Sequence, residues 1–313
     1  MTGDRECLFL GPEGSFCHQA MSRLQTSSLE PKPAADVQSI VRAVESNDVA
    51  FGLVPVENSV DGEVTSTVDN IVFDTESILV REEVVLPVAF DAFVLPGSRQ
   101  FTSVISHPVA LAQCRRFIDK HGLREEKTSS TSEACRLIAD EARSDAVALA
   151  SPMAGDLYGL ARFASGAQDN DAAHTKFFLL SKALAPFQEG VRYRTWIAVI
   201  PQSNRTGILA QILECFADRM LSIFSLSTRP LRADIGAYCF IATVEGWVDS
   251  DEFKGALADV FEMGSLVRVL GSFPSWNGPG VVSSVLGLGG LAPSRNPAFK
   301  RDVHSLASTL TIS

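Results

Sequence analysis

The sequence predicts an α/β protein with two folded parts, and three observations support this prediction. The chain has 313 residues, of which 46% are hydrophobic, which is enough for roughly two domains of about 150 residues each. Short apolar runs alternate with helix-like patterns through the first part of the chain, and a more regular order of strands and helices begins at Arg192. We therefore expect one α/β domain over residues 1–184 and a smaller domain over residues 191–275.

The first part is predicted to contain a mostly parallel sheet covered by helices, because strand-like and helix-like segments alternate along it. Its strand candidates are short apolar runs: Cys7–Leu10, Ala50–Pro55, Val84–Leu95, Val104–Ile105, Ala146–Ala150 and Lys176–Leu180. Its helix candidates have apolar residues at helical spacing: Asp36–Glu45, Pro108–Lys120 and Ser132–Glu141. Ligands of open α/β sheets bind beyond the carboxyl ends of the strands, so we expect a site in the loops that follow these strands.

The second part has the order β-α-β-β-α-β, which predicts a small ferredoxin-like sandwich. Its elements are, in order, Arg194–Ile200, Gly207–Ala217, Ile223–Ser227, Ala237–Glu245, Asp251–Met263 and Leu266–Phe273. The segment Ala185–Gly190 contains proline and glycine, which is typical of a domain boundary. Residues 276–313 are rich in glycine, proline and serine without sustained periodicity, so we expect a disordered tail there.

Composition narrows the class of protein. The formal charge of −10, from 37 acidic and 27 basic residues, argues against a nucleic-acid partner, which needs clustered lysine and arginine. The six cysteines show no Cys-x-x-Cys pair or metal-ligand spacing, so we expect reduced thiols, no metal site and no disulfide framework. We also expect a cytoplasmic protein without a membrane partner, because the sequence contains neither a signal-peptide pattern nor an apolar segment of membrane-spanning length.

Five polar loops contain side chains that are able to contact a ligand. They are Gly11-Pro12-Glu13-Gly14-Ser15-Phe16, Pro55-Val56-Glu57-Asn58-Ser59-Val60-Asp61-Gly62, Ser106-His107-Pro108 followed by Gln113, Ser129-Ser130-Thr131-Ser132, and Asp169-Asn170-Asp171-Ala172-Ala173-His174-Thr175-Lys176-Phe177. Neutral hydroxyl and amide donors, together with N–H groups at helix starts, suit an anionic ligand. Taken one at a time, each loop also has a structural explanation as a turn, a helix cap or a connection.

The order of these motifs resembles the prephenate dehydratase family. The resemblance rests on the Gly11–Phe16 and Pro55–Gly62 loops and on Ser106-His107-Pro108-x-Ala110-x-Ala112-Gln113-Cys114, Tyr158-Gly159-Leu160 and Thr175-x-Phe177. The second part resembles an ACT regulatory domain, with Gly207-Ile208-Leu209-Ala210 and Ser227-Thr228-Arg229-Pro230 in place of that family's Gly-Ala-Leu-Ala and Glu-Ser-Arg-Pro. The resemblance implies two α/β lobes around a cleft, as in a type-2 periplasmic binding protein, followed by an ACT domain.

The resemblance implies a carbon–oxygen lyase that converts prephenate to phenylpyruvate, water and CO₂ in phenylalanine biosynthesis, without a cofactor. Thr175 matches the family's catalytic threonine, which helps to protonate the departing hydroxyl group. A threonine hydroxyl is a poor acid in water, so we expect it to donate or relay a hydrogen bond. The positions that match the substrate-binding cleft are Ser15, Asn58, Ser59, Ser106, Gln113, Ser130, Thr131 and Phe177.

The same resemblance implies regulation and assembly. Family members bind phenylalanine between the ACT domains of two subunits, which implies an L-phenylalanine effector and a homodimer or homotetramer. The matching regulatory positions here are Gly207, Leu209, Ala210, Arg229 and Pro230.

Four positions depart from the family pattern. Ala173 and Lys176 stand where the family commonly has asparagine and arginine, and Val109 replaces a glutamine. In an extended strand Ala173 shares a face with Thr175, whereas Lys176 lies on the opposite face. The family's asparagine would then lie beside the Thr175 hydroxyl group, so we predict that Ala173→Asn raises activity. Ser227 occupies the acidic position of the regulatory motif, which leaves feedback by phenylalanine open.

Two alternative functions remain. A prephenate decarboxylase of specialised metabolism would release CO₂ without aromatising the ring, but such enzymes are expected to have lost the threonine and much of the Glu-Asn-Ser motif that this chain retains. A non-catalytic, amino-acid-responsive binding protein would use the same fold, although we find no DNA-binding segment in the sequence to act as its output. The sequence does not distinguish prephenate from arogenate as substrate.

Overall fold

The computed structural model describes residues 5–278 except 27, 61, 171–172, 204 and 232–236. The predicted tail, residues 276–313, lies outside the described residues beyond position 278. The described residues up to Trp276 belong to one compact unit. We divide this unit into a first lobe (residues 5–87 and 174–181), a second lobe (residues 90–170) and a C-terminal domain (residues 193–274). Among the described residues, no helix is both long enough and apolar enough to cross a membrane.

The chain first builds most of the first lobe. Its elements are β1 (Glu6–Leu10), α1 (Phe16–Met21), β2 (Glu30–Ala34), α2 (Val37–Glu45), β3 (Phe51–Asn58), β4 (Gly62–Glu63), α3 (Thr65–Phe73) and β5 (Leu79–Pro87). Helix α2 begins where the Asp36 carboxylate accepts the Ser39 N–H group, and its apolar face contributes Ile40, Val41 and Val44 to the core under the sheet.

The second lobe is a separate five-stranded sheet with its own helices. Its elements are β6 (Asp91–Val94), β7 (Ser103–Ser106), α4 (Pro108–Gln113), α5 (Arg115–His121), β8 (Arg124–Lys127), α6 (Thr131–Asp140), β9 (Ala146–Ala150), α7 (Pro152–Leu157) and β10 (Ala161–Ala164). The strand order is β10-β6-β9-β7-β8, and all five residues of β9 are buried. A short apolar run of this kind is typical of a central strand covered on both faces.

The chain then returns to the first lobe through β11 (His174–Ser181), which pairs antiparallel with β3 on one side and β5 on the other. This return places the loop after β3 next to the beginning of β11. Thr175 lies opposite Asn58 in this pairing, and Lys176 lies opposite Glu57. Two polar loops that are far apart in sequence therefore meet at one edge of the first lobe.

The C-terminal domain confirms the predicted ferredoxin-like fold. Its elements are β12 (Tyr193–Ile200), α8 (Ile208–Ala217), β13 (Ile223–Pro230), β14 (Tyr238–Glu245), α9 (Asp251–Glu262) and β15 (Leu266–Pro274). The strands lie in the order β13-β14-β12-β15 and all neighbours are antiparallel. Helices α8 and α9 pack on this sheet through a core that includes Ile212, Phe216 and Phe253.

The sheets of the first lobe and the C-terminal domain are continuous. Strand β15 pairs in parallel with β5 at Gly271 and Val80, which gives the order β13-β14-β12-β15-β5-β11-β3-β1-β2, with β4 attached to β3. A Cβ atom at Gly271 would lie 2.4 Å from the Val80 carbonyl oxygen, so only glycine permits this approach. The buried Glu83 of β5 also forms an ion pair with Arg194 of β12, at 2.9 Å.

Several predicted elements differ from the structure. The predicted strand Val84–Leu95 is two strands, β5 and β6, which belong to different sheets because residues 88–90 cross between the lobes. The predicted helix Pro108–Lys120 is divided at Cys114, whose φ of −118° is not helical. The sheets are mixed rather than mostly parallel, since β11 runs antiparallel to both of its neighbours. The predicted boundary at residues 185–190 lies in a segment, 182–192, without helix or strand.

Candidate active site

The hydroxyl group of Thr175 is held by the side chain of Asn58. The Asn58 Nδ2 atom donates a hydrogen bond to Thr175 Oγ1 at 3.0 Å, while Asn58 Oδ1 accepts the Val60 N–H group at 2.8 Å. Thr175 is 9% exposed. The second bond fixes which end of the amide faces Thr175, so the threonine oxygen acts as an acceptor and its own proton is directed elsewhere.

The loop that carries Asn58 is fastened to β11 by Ser59. The Ser59 N–H group donates to the His174 carbonyl oxygen, and the His174 N–H group donates to Ser59 Oγ, both at 2.9 Å. Ser59 is exposed, but its hydroxyl oxygen is already an acceptor in the pairing of the loop with β11. In this structure Ser59 therefore holds the Asn58 loop in place.

Lys176 and Glu57 form an ion pair of 2.6 Å, one step along the same pair of strands. Strand alternation turns these side chains away from Thr175, as the sequence predicts for Lys176. The next residues follow the same alternation: Phe177 packs with Phe9 and Leu53, whereas Phe178 contacts Trp196 with ring centroids 5.2 Å apart. The face behind Thr175 is thus turned towards the C-terminal domain.

Two residues near Thr175 lie in apolar cores. Phe177 is 2% exposed, so its role as a substrate contact stays a prediction that its burial does not favour. Ala173 is 3% exposed in the core of the second lobe with Val88 and Phe90, and its carbonyl oxygen accepts the Val88 N–H group at 2.8 Å. The alanine therefore lies in packing at the crossing between the lobes.

The loop from Gly11 to Phe16 connects the first lobe with the second. Ser151 Oγ donates to the Gly14 carbonyl oxygen at 2.6 Å, and Ser132 Oγ donates to the Glu13 carbonyl oxygen. Gly14 has a φ of +78°, and a Cβ atom there would lie 2.8 Å from Ser132 Oγ, so a side chain would separate the two lobes. Sequence reasoning missed Ser151, although it follows a buried strand and precedes a proline, as the Ser106-His107-Pro108 motif also does.

His18 supports this loop from the first lobe. The Gly14 N–H group donates to His18 Nδ1 at 3.1 Å, and the imidazole ring stacks on Phe9 with centroids 4.6 Å apart. Burial lowers the pKa of His18 below its ordinary value of 6.5, although the Glu13 carboxylate opposes this effect. The ring is therefore neutral near pH 7, which leaves Nδ1 free to accept the hydrogen bond.

Besides Asn58 and Ser59, three more of the predicted substrate contacts form hydrogen bonds within the protein. Ser15 caps α1 by accepting the His18 N–H group and donating to the Leu10 carbonyl oxygen. Ser130 caps α6 by accepting the Glu133 N–H group at 3.0 Å. Ser106 is fully buried and donates to the Leu149 carbonyl oxygen at 2.6 Å. Ser15 and Ser130 therefore cap helices, and their roles as substrate contacts stay predictions, whereas Gln113 and Thr131 are partly exposed.

The regulatory candidates occupy two places in the C-terminal domain. Gly207 precedes α8 with a φ of +84°, followed by Leu209, which is partly buried, and Ala210, which is exposed. Arg229 and Pro230 end β13, and the Arg229 guanidinium forms ion pairs with Glu63 and Asp69 of the first lobe. Across the described part of the chain, no three His, Cys, Asp or Glu side chains are grouped to hold a metal ion.

Comparison with known proteins identifies the family. The family model described as prephenate dehydratase matches residues 7–184, which include both lobes and the Asn58–Thr175 pair. The chain belongs to the prephenate dehydratase family. A curated prephenate dehydratase from Mycobacterium tuberculosis (strain ATCC 25618 / H37Rv) is 31% identical over 280 residues, which cover 85% of this chain and 86% of that protein. The similarity therefore extends beyond the residues that the family model matches.

Two solved structures show the same fold. The prephenate dehydratase from Arthrobacter aurescens, solved in complex with L-phenylalanine, is 27% identical with a TM-score of 0.77 and covers 88% of this chain and 93% of its own. A quorum-quenching acylase named GqqA has a TM-score of 0.78 at 23% identity, over 87% of this chain and 99% of its own. At that identity the acylase shows the fold alone. The prephenate dehydratase family fold is thus present from the first lobe through the C-terminal domain.

Proposed function

We propose that this chain converts prephenate to phenylpyruvate, CO₂ and water, with Thr175 contacting the departing hydroxyl group. The observation that carries this proposal is the hydrogen bond from Asn58 to Thr175 at 3.0 Å, in a chain that belongs to the prephenate dehydratase family. Retention of both residues favours dehydration over decarboxylation without aromatisation. It also favours catalysis over ligand binding alone.

The proposed chemistry couples two bond cleavages. The electron pair of the bond to the ring carboxylate moves into the ring as CO₂ leaves, and the ring expels its hydroxyl group, which takes up one proton and departs as water. Thr175 accepts from Asn58, and accepting a hydrogen bond polarises its own O–H group for donation to the departing oxygen. Because threonine is a weak acid, Thr175 stabilises or relays the proton, while aromatisation supplies much of the driving force.

The second lobe is proposed to position the substrate carboxylates. Thr131 is the first residue of α6, and the N–H groups at the start of this helix are suited to an anion. We propose that Thr131, Gln113 and the exposed side of the Ser59 loop contact substrate. Ser15, Ser106, Ser130 and Phe177 then act as the framework that shapes the site, because their polar groups or rings are engaged within the protein.

We further infer that the C-terminal domain is an ACT domain that binds L-phenylalanine and joins subunits in a homodimer or homotetramer. The supporting observations are its βαββαβ fold, the Gly207–Ala210 turn into α8, and the L-phenylalanine complex of the Arthrobacter relative. Exposed apolar side chains at the β13 edge of the sheet, Phe224 and Leu226, suit a subunit contact. The boundaries at 184 and 191 and a cytoplasmic location stay predictions.

The test is incubation of the purified protein with prephenate, followed by NMR of the product ring. Aromatic signals of phenylpyruvate are the expected result. Ring-alkene signals with CO₂ release would instead identify a decarboxylase, and unchanged prephenate would indicate a binding protein.

The role of Thr175 is tested with two substitutions. Thr175→Ala is expected to lower kcat by about 10²- to 10⁴-fold, because it removes the group that hydrogen-bonds the leaving oxygen, with little change in melting temperature. Thr175→Ser keeps a hydroxyl group opposite Asn58 and is expected to retain most of the activity. Turnover of Thr175→Ala near that of the wild type would contradict this role.

A further inference from the structure

Arg229 of the C-terminal domain lies against a cluster of first-lobe side chains. Its guanidinium forms an ion pair with Glu63, its Nε atom lies 3.3 Å from Asp69 Oδ1, and its Nη2 atom lies 3.5 Å from Thr65 Oγ1. Ser227, two residues earlier on the same face of β13, donates to the other Glu63 oxygen at 3.2 Å. Both carboxylate oxygens of Glu63 are therefore held by β13. The Arg229 side chain is only 18% exposed, so this ion pair is screened less than a surface pair.

Glu63 belongs to the short strand that supports Asn58. Strand β4 has two residues and pairs antiparallel with the end of β3, with Glu63 opposite Glu57 and Gly62 opposite Asn58. The Val64 N–H group extends this pairing by donating to the Val56 carbonyl oxygen at 2.7 Å. Because so short a strand makes few bonds of its own, the contacts of Glu63 contribute to the position of the hairpin and hence of the Asn58 amide.

A cavity of about 210 Å³ lies between this hairpin and the C-terminal sheet. Its walls include Glu57, Glu63 and Lys176 from the first lobe and Trp196 and Ser227 from the C-terminal domain. Apolar packing therefore does not fill the space between β13 and the strands that carry Asn58 and Thr175. The contacts of Arg229 and Ser227 with Glu63 connect the two parts beside this gap.

The residue at position 227 suits this arrangement. The regulatory motif that the chain resembles has an acidic residue there, and a second carboxylate beside Glu63 would repel it. Serine instead donates a hydrogen bond to Glu63. Serine in place of the motif's acidic residue thus permits the hydrogen bond between Ser227 and Glu63 of the first lobe.

We propose that Arg229 is a positioning residue for the reaction: through Glu63 it holds the β3–β4 hairpin in the place where Asn58 orients the Thr175 hydroxyl. This inference rests on the proposed function. It assigns to the C-terminal domain a direct part in the basal reaction, through contacts within one chain. Loss of the contact misplaces the Asn58 amide, and it leaves Thr131 and Gln113, the second-lobe groups proposed to position the substrate carboxylates, in place.

The experiment is a double-mutant cycle on Arg229→Gln and Glu63→Gln, with kcat and KM for prephenate measured for each protein. Each single substitution is expected to lower kcat by roughly tenfold or more while KM changes by less than about twofold, because misplacement acts on the reacting groups. The double variant is expected to be no slower than the slower single variant, since both substitutions remove the same interaction. The matched control is Arg219→Gln, whose arginine pairs with Asp259 inside the C-terminal domain; its kinetics are expected to equal those of the wild type.

The outcomes separate this inference from the proposed function. If both single variants keep the wild-type kcat, or if only KM rises, Arg229 has no positioning role. Formation of phenylpyruvate by the wild type would still support the proposed dehydratase activity. Absence of an aromatic product from the wild type would instead remove the proposed function itself. If circular dichroism shows that the Gln variants do not fold, Ser227→Ala decides, because it deletes one hydroxyl and no charge. A roughly two- to fivefold lower kcat at an unchanged melting temperature supports the role, and an unchanged kcat rejects it.

Discussion

Ala173 shows how burial changes the meaning of a departure from the family pattern. The sequence alone predicts that asparagine at this position raises activity, because an extended strand places it on the same face as Thr175. In the structure the alanine side chain lies in the core of the second lobe with Val88 and Phe90. The amide of an asparagine at this position would be buried among apolar side chains without a hydrogen-bond partner.

We therefore expect Ala173→Asn to lower the free energy of unfolding by about 1–3 kcal/mol, the cost of burying an amide without a partner, and not to raise kcat. Urea denaturation and steady-state kinetics on prephenate measure the two effects. Ala112→Asn, on the exposed side of α4, is the control and is expected to cost only about 0.5 kcal/mol of helix propensity. A faster Ala173→Asn enzyme of unchanged stability would restore the sequence-based prediction.

His18 gives a pH dependence with a definite sign. Burial lowers the pKa of His18 below 6.5, and the neutral ring accepts the Gly14 N–H group. As the pH falls below 6.5, the unfolded chain binds the proton more readily than the folded protein, so stability is lost with decreasing pH. We expect the wild type to lose unfolding free energy from this group as the pH falls through that window.

His18→Gln isolates this contribution, because glutamine offers an acceptor oxygen but does not titrate. Urea denaturation at about pH 7.5 and about pH 5.5 is expected to show a larger loss for the wild type than for the variant. Carboxylates with lowered pKa values, such as Asp36 and Glu126, affect both proteins equally and at lower pH. An identical pH dependence in the two proteins would show that His18 does not titrate in this window.

The sequence alone predicts only part of the candidate active site. Polar loops at the ends of predicted strands make Asn58 and Thr175 candidates, and the resemblance to the prephenate dehydratase family distinguishes Thr175 from its neighbours. That the two side chains meet follows from the pairing of β3 with β11. The bonds from Ser132 and Ser151 to the Glu13–Gly14 backbone depend on how two lobes approach each other. No local pattern encodes such a contact, which is why Ser151 was missed.

At the level of elements, periodicity identified buried segments but not the sheet to which each belongs. The run from Val84 to Leu95 is apolar apart from Asp91, so hydrophobicity alone predicts one strand. Pro87 and Asp91, which flank the crossing at residues 88–90, are the only local signs of a break within this run. Helix α3 was missed because its sequence, Thr-Ser-Thr-Val-Asp-Asn-Ile-Val-Phe, is rich in residues of low helix propensity. Packing of Val68, Ile71 and Val72 on the first-lobe sheet overrides that preference. Edge strand β2 was missed because its Glu-Pro-Lys-Pro-Ala sequence has no apolar run.

The junction of β15 with β5 leaves no room for an added methyl group at Gly271. Gly271→Ala places a Cβ atom against the Val80 backbone, which cannot move aside as a flexible side chain would. We expect a loss of about 1–3 kcal/mol in unfolding free energy, measured by urea denaturation. Gly122→Ala is the control: its φ of +62° costs about 1 kcal/mol, but the space around it is open. A smaller loss at position 271 than at position 122 would show that the two strands can separate without cost.

For the whole molecule, the order of elements followed from the sequence but the joining of the parts did not. The βαββαβ order came from hydrophobic periodicity within residues 193–274. The continuation of its sheet into the first lobe pairs two strands that are distant in sequence, through Gly271 and Val80. A glycine near the end of a strand has several explanations, so this pairing required the structure.

The ion pair of Arg194 with Glu83 fastens the C-terminal domain to the first lobe. Glu83 is 2% exposed and also accepts the Trp276 N–H group at 2.8 Å. Arg194→Met leaves a buried carboxylate without its counter-charge, and we expect it to lower the unfolding free energy by about 3–5 kcal/mol. The double variant Arg194→Met, Glu83→Gln is expected to recover part of that loss.

Denaturation of these variants is compared with that of Lys32→Met, which removes the exposed pair with Glu6 and is expected to cost less than about 1 kcal/mol. A cost for Arg194→Met as small as that of Lys32→Met would show that Glu83 is stabilised by other groups.

The continuous sheet indicates which part of the protein we expect to rotate relative to the rest. Residues 90–170 leave the rest of the chain after β5 and rejoin it before β11, so two neighbouring crossings connect the second lobe to the first. The first lobe, which carries Thr175, is joined to the C-terminal domain by the pairing of β5 with β15. We expect closure over a bound molecule to be a rotation of residues 90–170 about the Glu13–Gly14 contact, while the lobe that holds Thr175 stays fixed to the C-terminal strands.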